Sequence, residues 1–196
     1  AAAEIDHAPN AVTSLDGTWR LADGTSADAI PSEFPASVAV PGLANQSRPA
    51  FKDTDRFTSR ENMANLVRAG VVPEGWLTEF WKGKVDQDRN YFWYRRTFVA
   101  PLRKAVATLR VNKAQFGTAV WLNGNKVGEY PGCFSAGVFD VTRALKWESE
   151  NVLLVRVGAH PGVLPATYPA GTDFEKLKWT PGIYDDVSLH VADNPV

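Results

Sequence analysis

The sequence predicts an all-β protein, a jelly-roll β-sandwich carrying one short helix in an insertion. Three observations lead there. Apolar residues alternate with polar ones at period two: Leu109 and Val111 fall on one face while Thr108 and Arg110 fall on the other, and Val187, Leu189 and Val191 oppose Ser188 and His190. That period marks strands with one buried face. Such runs follow one another at short spacing with turn residues between them, as in antiparallel sandwiches and barrels. Helical periodicity is confined to a single stretch, and about nine strands favour a jelly roll.

Taken in order, residues 17–22 (GTWRLA) alternate and meet a turn signal at Asp23-Gly24. Residues 27–35 hold Pro31 and Pro35 and read as loop; residues 37–40 form a second short strand stopped by Pro41-Gly42. Residues 52–89 read as a long insertion. Within it Met63, Leu66 and Val67 stand at helical spacing, Thr58 or Ser59 offers a cap and Gly70 a stop, which predicts a helix over 59–69. Strands follow at 91–99, 105–111, 118–122, 126–130, 138–141, 152–157 and 186–191, with Asn123-Gly124-Asn125 as a hairpin turn whose residues tolerate positive φ. The strand at 91–99 has aromatics on both faces, so neither is simply solvated: the insertion covers the outer face, or that face receives a ligand or a partner domain. The simplest division is a flexible tail at 1–11 and one domain at 12–196 with its insertion at 52–89.

Composition excludes several classes. The 196 residues are 44% hydrophobic and 22% charged with a formal charge of -1, as in an ordinary globular protein. No cluster of Lys and Arg invites nucleic acid or an anionic membrane. No apolar run approaches the roughly 20 residues of a membrane span. The one cysteine, Cys133, excludes an intrachain disulfide and a Cys-based zinc site, and reads as a small packing residue. His7, His160 and His190 lie far apart, so no cofactor or metal is expected. Residues 1–10 lack the regions of a signal peptide. A trimmed leader and a tail are both open readings, with a periplasmic or secreted location the expectation.

No nucleophile elbow, phosphate loop or dinucleotide motif occurs. Glycoside hydrolysis needs two carboxyl groups about 5–9.5 Å apart. Asp185 and Asp186 adjoin a strand, where neighbours point to opposite faces, and read as surface turn acids. Asp173 and Glu175 share a polar, aromatic-rich loop and would project to one side if extended. The seven Trp and five Tyr offer another use, since aromatic faces pack on the apolar faces of sugars. Trp19, Trp93 and Trp121 lie in strands and read as core. Trp76, Trp81, Tyr168 and Trp179 lie in loops, where ligand contact and packing are both open.

Several segments then fall into a family order. Residues 14–21 (SLDGTWRL), 93–98 (WYRRTF), 121–128 (WLNGNKVG), 139–142 (FDVT), 151–157 (NVLLVRV) and 179–189 (WTPGIYDDVSL) resemble, in sequence, the N-terminal sugar-binding domain of glycoside hydrolase family 2. That family includes β-galactosidases, β-glucuronidases and β-mannosidases. The resemblance implies a galactose-binding-domain-like jelly roll. It also implies carbohydrate as ligand, and immunoglobulin-like and catalytic-barrel domains as partners, with both catalytic glutamates in the barrel. No catalytic residue is therefore expected here, and the chain is expected to be inactive alone. Stand-alone carbohydrate-binding module and interdomain scaffold are the other readings.

In some members, loops of this domain help to shape the sugar subsite. The resemblance places Asn90 beside an Asn that contacts the sugar. It places Ala159-His160-Pro161-Gly162 where β-galactosidases carry an Asp touching sugar and sodium. This chain has no Asp there, so that ion site is not implied. The expected sugar-contacting residues are Asn90, His160, Tyr168, Asp173, Glu175, Trp179 and Trp76.

Overall fold

A computed structural model describes residues 10–52, 54, 67–71, 73–75, 89–165, 167–169 and 180–193. Their strands are β1 (Ala11–Ser14), β2 (Gly17–Gly24), β3 (Ala36–Val40), β4 (Gly42–Leu43), β5 (Tyr91–Val99), β6 (Val106–Val111), β7 (Ala114–Gln115), β8 (Thr118–Leu122), β9 (Asn125–Tyr130), β10 (Gly137–Asp140), β11 (Glu150–Gly158), β12 (Gly182–Ile183) and β13 (Val187–Ala192). They build a six-stranded sheet in the order β3-β2-β5-β11-β8-β9, a four-stranded sheet β1-β13-β6-β10, and a small closing sheet β4-β12-β7. The predicted all-β sandwich is what forms. The helix predicted over 59–69 lies outside the described residues except at 67–69.

The two larger sheets share one core. Trp19, Leu21, Phe92, Tyr94, Val120, Leu153 and Val155 from one sheet meet Leu109, Phe139 and Leu189 from the other, all buried. Each large apolar side chain removed from water in this way contributes about 1.5–3 kcal/mol. The alternation read from residues 108–111 and 187–191 is therefore the inner-against-outer pattern of β6 and β13.

Four strands escaped the sequence reading: β1, β4, β7 and β12. Three of them are two residues long. A period cannot show in two residues, and these strands are defined by backbone pairing alone. The strand at 37–40 does stop before Pro41-Gly42, and the chain then enters a different sheet, where Gly42 pairs with Ile183. Asp23-Gly24 stays extended, because Asp23 and Gly24 pair with Phe92 and Tyr91 of β5. At Asp23-Gly24 sheet pairing overrides local turn preference.

The hairpin turn is two residues rather than three. Asn123 and Gly124 both have positive φ, 52° and 85°, and Asn125 already pairs with Leu122. A turn of this kind matches the twist of the flanking strands. Asn123 does more than turn. Its side-chain amide donates at 2.8 Å to the carbonyl of Ala144 and at 2.8 Å to the fully buried Asn151 side chain. Its Oδ1 accepts from the Val152 amide at 3.0 Å. The Asn151 Oδ1 in turn accepts from the Lys146 amide, and its Nδ2 donates to the carbonyls of Lys146 and Ser149, each at 2.8 Å. The pair thus ties hairpin, β11 and the preceding turn together.

Aromatics occupy both faces of β5, as predicted. Phe92 and Tyr94 enter the main core, whereas Trp93 faces outward against Trp121, ring centroids 4.8 Å apart, with Ala22, Ala119 and Leu154 around them. Trp19, Trp93 and Trp121 are all buried, in line with their reading as core. The described cover over the outer pair is the proline-containing loop 25–35; the sequence reading assigned this face either to the insertion or to a ligand or partner domain. Phe34 packs against the cluster, Arg156 donates to the carbonyl of Ala27, and Lys126 meets Asp28 at 3.0 Å. The residues of the insertion itself lie mostly outside the described ones.

Two stability outcomes follow from these contacts. Asn151→Ala removes a buried side chain with four hydrogen-bonding partners and should cost about 3 kcal/mol, read as a lowered urea midpoint. A Cβ at Gly158 would stand 2.4 Å from Val163 Cγ2 and 2.6 Å from the Phe116 carbonyl oxygen. Gly158→Ala should therefore lower the melting temperature by several degrees, whereas the same change at the open Gly75 should not.

Candidate functional site

Asn90 and His160, far apart in sequence, come together at one end of the β5–β11 ladder. Asn90 immediately precedes β5. Its amide donates to Gly24 O at 3.0 Å, and its carbonyl accepts from Ala159 N at 2.8 Å. Its side-chain Nδ2 donates to Thr25 O at 2.8 Å, which fixes the orientation of the carboxamide. Its Oδ1 then lies 2.9 Å from His160 Nε2. An amide oxygen only accepts, so Nε2 carries the proton. Burial lowers the His160 imidazole below the usual histidine range, so the ring is neutral at pH 7.

Asn90 is thus a clasp joining the 24–25, 89–90 and 159–160 segments. Each polar atom of its carboxamide keeps spare capacity, one N–H and one lone pair, for a ligand hydroxyl. The neighbouring Arg89 closes the base of the insertion. Its Nη1 donates to Lys52 O at 2.6 Å and its Nε meets Asp23 at 2.8 Å. The guanidinium lies over Phe92 and Phe51, 5.2 and 5.6 Å from the ring centroids.

Beyond His160 the chain makes a 3-10 turn at Pro161–Val163, seated against Gly158. A cleft of about 60 Å³ opens there, lined among others by Tyr91, Tyr130, Glu129, Arg156 and Leu164. It has room for about two water-sized groups. Arg156 stacks over the Tyr91 ring at 4.5 Å and reaches Glu129 at 3.3 Å. A carboxylate, a guanidinium and two phenols side by side suit hydroxyl-rich ligands. Sequence reasoning passed over these residues. The available signal was Arg156, a charge inside the apolar run NVLLVRV.

Of the other predicted site residues, Tyr168 is described and exposed, its amide donating to Pro165 O at 2.9 Å. Asp173, Glu175, Trp179 and Trp76 lie outside the described residues. Asp185 pairs with Lys113 at 2.9 Å and caps the Asp186 amide at 2.9 Å, while Asp186 accepts from Asn112, so both acids are engaged in the turn. Cys133 is half-buried, and burial pushes its thiol up, away from nucleophile behaviour. Ser188 Oγ and His190 Nε2 lie 2.9 Å apart, but among the described residues no carboxylate bonds that ring to complete a triad. Among the described residues no three His, Cys, Asp or Glu side chains gather as metal ligands.

An all-β sandwich of this topology belongs to the class of galactose-binding-like domains. A family model described as glycosyl hydrolase 2 galactose-binding domain-like matches residues 56–164, more than half of the chain, and the chain belongs to that family. A β-galactosidase of Arthrobacter sp. (strain B7) is 37% identical over 101 residues, covering 49% of this chain and 9% of that protein. Among solved structures, a β-glucuronidase of Bacteroides uniformis aligns with TM-score 0.59 and 23% identity over 93% of this chain and 18% of its own. A β-D-mannosidase of Dictyoglomus thermophilum aligns with TM-score 0.55 and 21% identity over 91% of this chain and 22% of its own. The chain thus spans about a tenth of that sequence relative and about a fifth of those structures.

The clasp makes a pH prediction. A histidine held below its unfolded pKa of about 6.5 resists protonation in the folded state. The stability tied to the neutral ring is present above that pH and lost as pH falls through the folded value. Urea unfolding at pH 7.5 and pH 5 should show the wild type losing stability on acidification relative to His160→Gln. Parallel behaviour of the two proteins would refute the assignment.

Proposed function

We propose that this domain contacts carbohydrate as the accessory, substrate-shaping domain of a glycoside hydrolase, and that it has no hydrolytic activity alone. The observation that carries the reading is the Asn90–His160 clasp. It lies where the family resemblance puts sugar contact, at the 89–90 and 159–160 loops. The cleft lined by Tyr91, Glu129 and Arg156 adjoins it and extends the polar surface.

The neutral imidazole offers a sugar hydroxyl no net charge to desolvate, and Asn90 holds the ring in place. A subsite of this size grips one edge of a sugar. The remaining contacts and the two catalytic carboxyl groups then come from the parent enzyme's other domains. The relatives carry galactosidase, glucuronidase and mannosidase names, so the reading stops at glycoside and does not choose the sugar.

In the full-length parent enzyme, Asn90→Ala and His160→Ala should each lower kcat/KM for its glycoside about 10-fold, the loss of one or two ligand hydrogen bonds. The 196-residue chain should release no aglycone from aryl glycosides. Turnover by the chain alone, or unchanged kinetics in both variants, would refute the proposal. Saturable tryptophan-fluorescence changes with free oligosaccharides would instead favour a stand-alone binding module.

A further inference from the structure

A second groove lies on the outer face of the six-stranded sheet, four residues along β5 from Tyr91, or about 13 Å at the rise of a strand. It has a volume of about 460 Å³ and is lined by Arg20 and Arg95 together with Ile30, Pro31, Ser32, Phe34, Val152 and Leu154. That is within the range of about 300–1,000 Å³ typical of ligand sites.

The charges here are unusual. Arg20 of β2 and Arg95 of β5 are direct cross-strand partners. Like charges in that position destabilise a sheet unless something neutralises them. Elsewhere on this face the cations are matched: Lys126 meets Asp28 and Glu129, and Arg156 meets Glu129. Among the described residues neither Arg20 nor Arg95 pairs with a carboxylate, and no acid lines the groove. Glu33, exposed in the adjoining loop, is not among the lining residues. The Arg20 guanidinium donates one hydrogen bond to the carbonyl of Phe34, which holds the loop over the sheet and leaves its remaining donors available.

We propose that this groove binds an acidic–apolar peptide segment of a neighbouring polypeptide. A carboxylate would bridge Arg20 and Arg95, with an adjacent aliphatic or aromatic side chain laid against Ile30, Phe34 and Leu154. Charge complementarity specifies the carboxylate, and guanidinium pairs take it in a bidentate fork. The lining selects peptide over sugar. It combines four aliphatic residues with Phe34, Ser32 and the two arginines, and supplies no carboxylate or amide acceptor for sugar hydroxyls, which would lose water without replacement. This site is independent of the clasp, so its test and the kinetic test of the clasp succeed or fail separately.

The probe is a fluorescein-labelled hexapeptide of alternating leucine and glutamate, titrated by anisotropy against the chain. Saturable binding is expected, weakened by rising salt and lowered at least 10-fold by Arg95→Gln. Ile30→Asp should lower it equally by placing a competing acid beside the arginines. Ile30 is 40% exposed, so that variant should keep its fold. Relief of the like-charge contact predicts that Arg95→Gln melts at or above the wild-type temperature. The same peptide with glutamine for glutamate should not saturate. Equal binding of the glutamine peptide, absence of saturation with the glutamate peptide, or unchanged affinity in Ile30→Asp would each overturn the proposal. Tighter binding of trigalacturonate than of the peptide would do so too, reassigning the groove to an acidic sugar.

Discussion

The nine-residue ladder between β5 and β11 is the constraint on which the rest of the molecule depends. Its register sets Gly158 opposite Tyr91 and Glu150 opposite Val99. At one end this puts residues 159–160 beside Asn90, which closes the clasp. At the other it delivers Asn151 to the buried pair with Asn123. A slip of one residue would turn every side chain of β11 to the wrong face and break both constellations together. The polar networks at the two ends reward only one register, because an unpartnered carboxamide in the core is costly. Core and site are thus specified by the same alignment of two strands.

How much of this the sequence discloses depends on the physical range of each interaction. The strands β6 and β13 carry their own signature, since the alternation of side chains reflects which face is buried, whereas β5, β8 and β11 are legible as apolar runs with both faces largely covered. The short strands β4, β7 and β12 carry none; Gly42 and Gly182 are extended only because a neighbouring backbone lies alongside. The hairpin turn at Asn123-Gly124 is legible from backbone preference, but the second role of Asn123 depends on Asn151 and Ala144, which turn chemistry does not mention. Asn90 and His160 enter the sequence reading through family likeness. Their mutual hydrogen bond is a product of strand register, and Tyr91, Glu129 and Arg156 converge for the same reason.

The outer face of the six-stranded sheet shows how one layer serves two purposes. Around Trp93 and Trp121 it behaves as a second small core, roofed by the 25–35 loop and rimmed by Lys126 and Arg156 stacked on the rings. Toward β2 a groove opens beside the same loop, and among the described residues the arginines there lack the acids found along the rim. The alternation of β5 carries both regions, Trp93 sealing one and Arg95 opening the other. A strand read only for hydrophobic pattern would report a broken amphipathic face, whereas the break is where cover gives way to recognition.

Arg89 has a consequence for how such domains diversify. By holding the carbonyl of Lys52 and the carboxylate of Asp23, and by stacking on Phe51 and Phe92, it fixes the distance between the two points where the insertion leaves and rejoins the sandwich. The conformational cost of lengthening a segment between fixed ends grows only logarithmically, about 0.6 kcal/mol per doubling. A pinned neck therefore acts as a socket: the segment between Lys52 and Arg89 can be exchanged or extended while the ladder behind it stays in register. New surface at the clasp end becomes accessible to evolution, and to engineering, without reopening the problem of folding the domain.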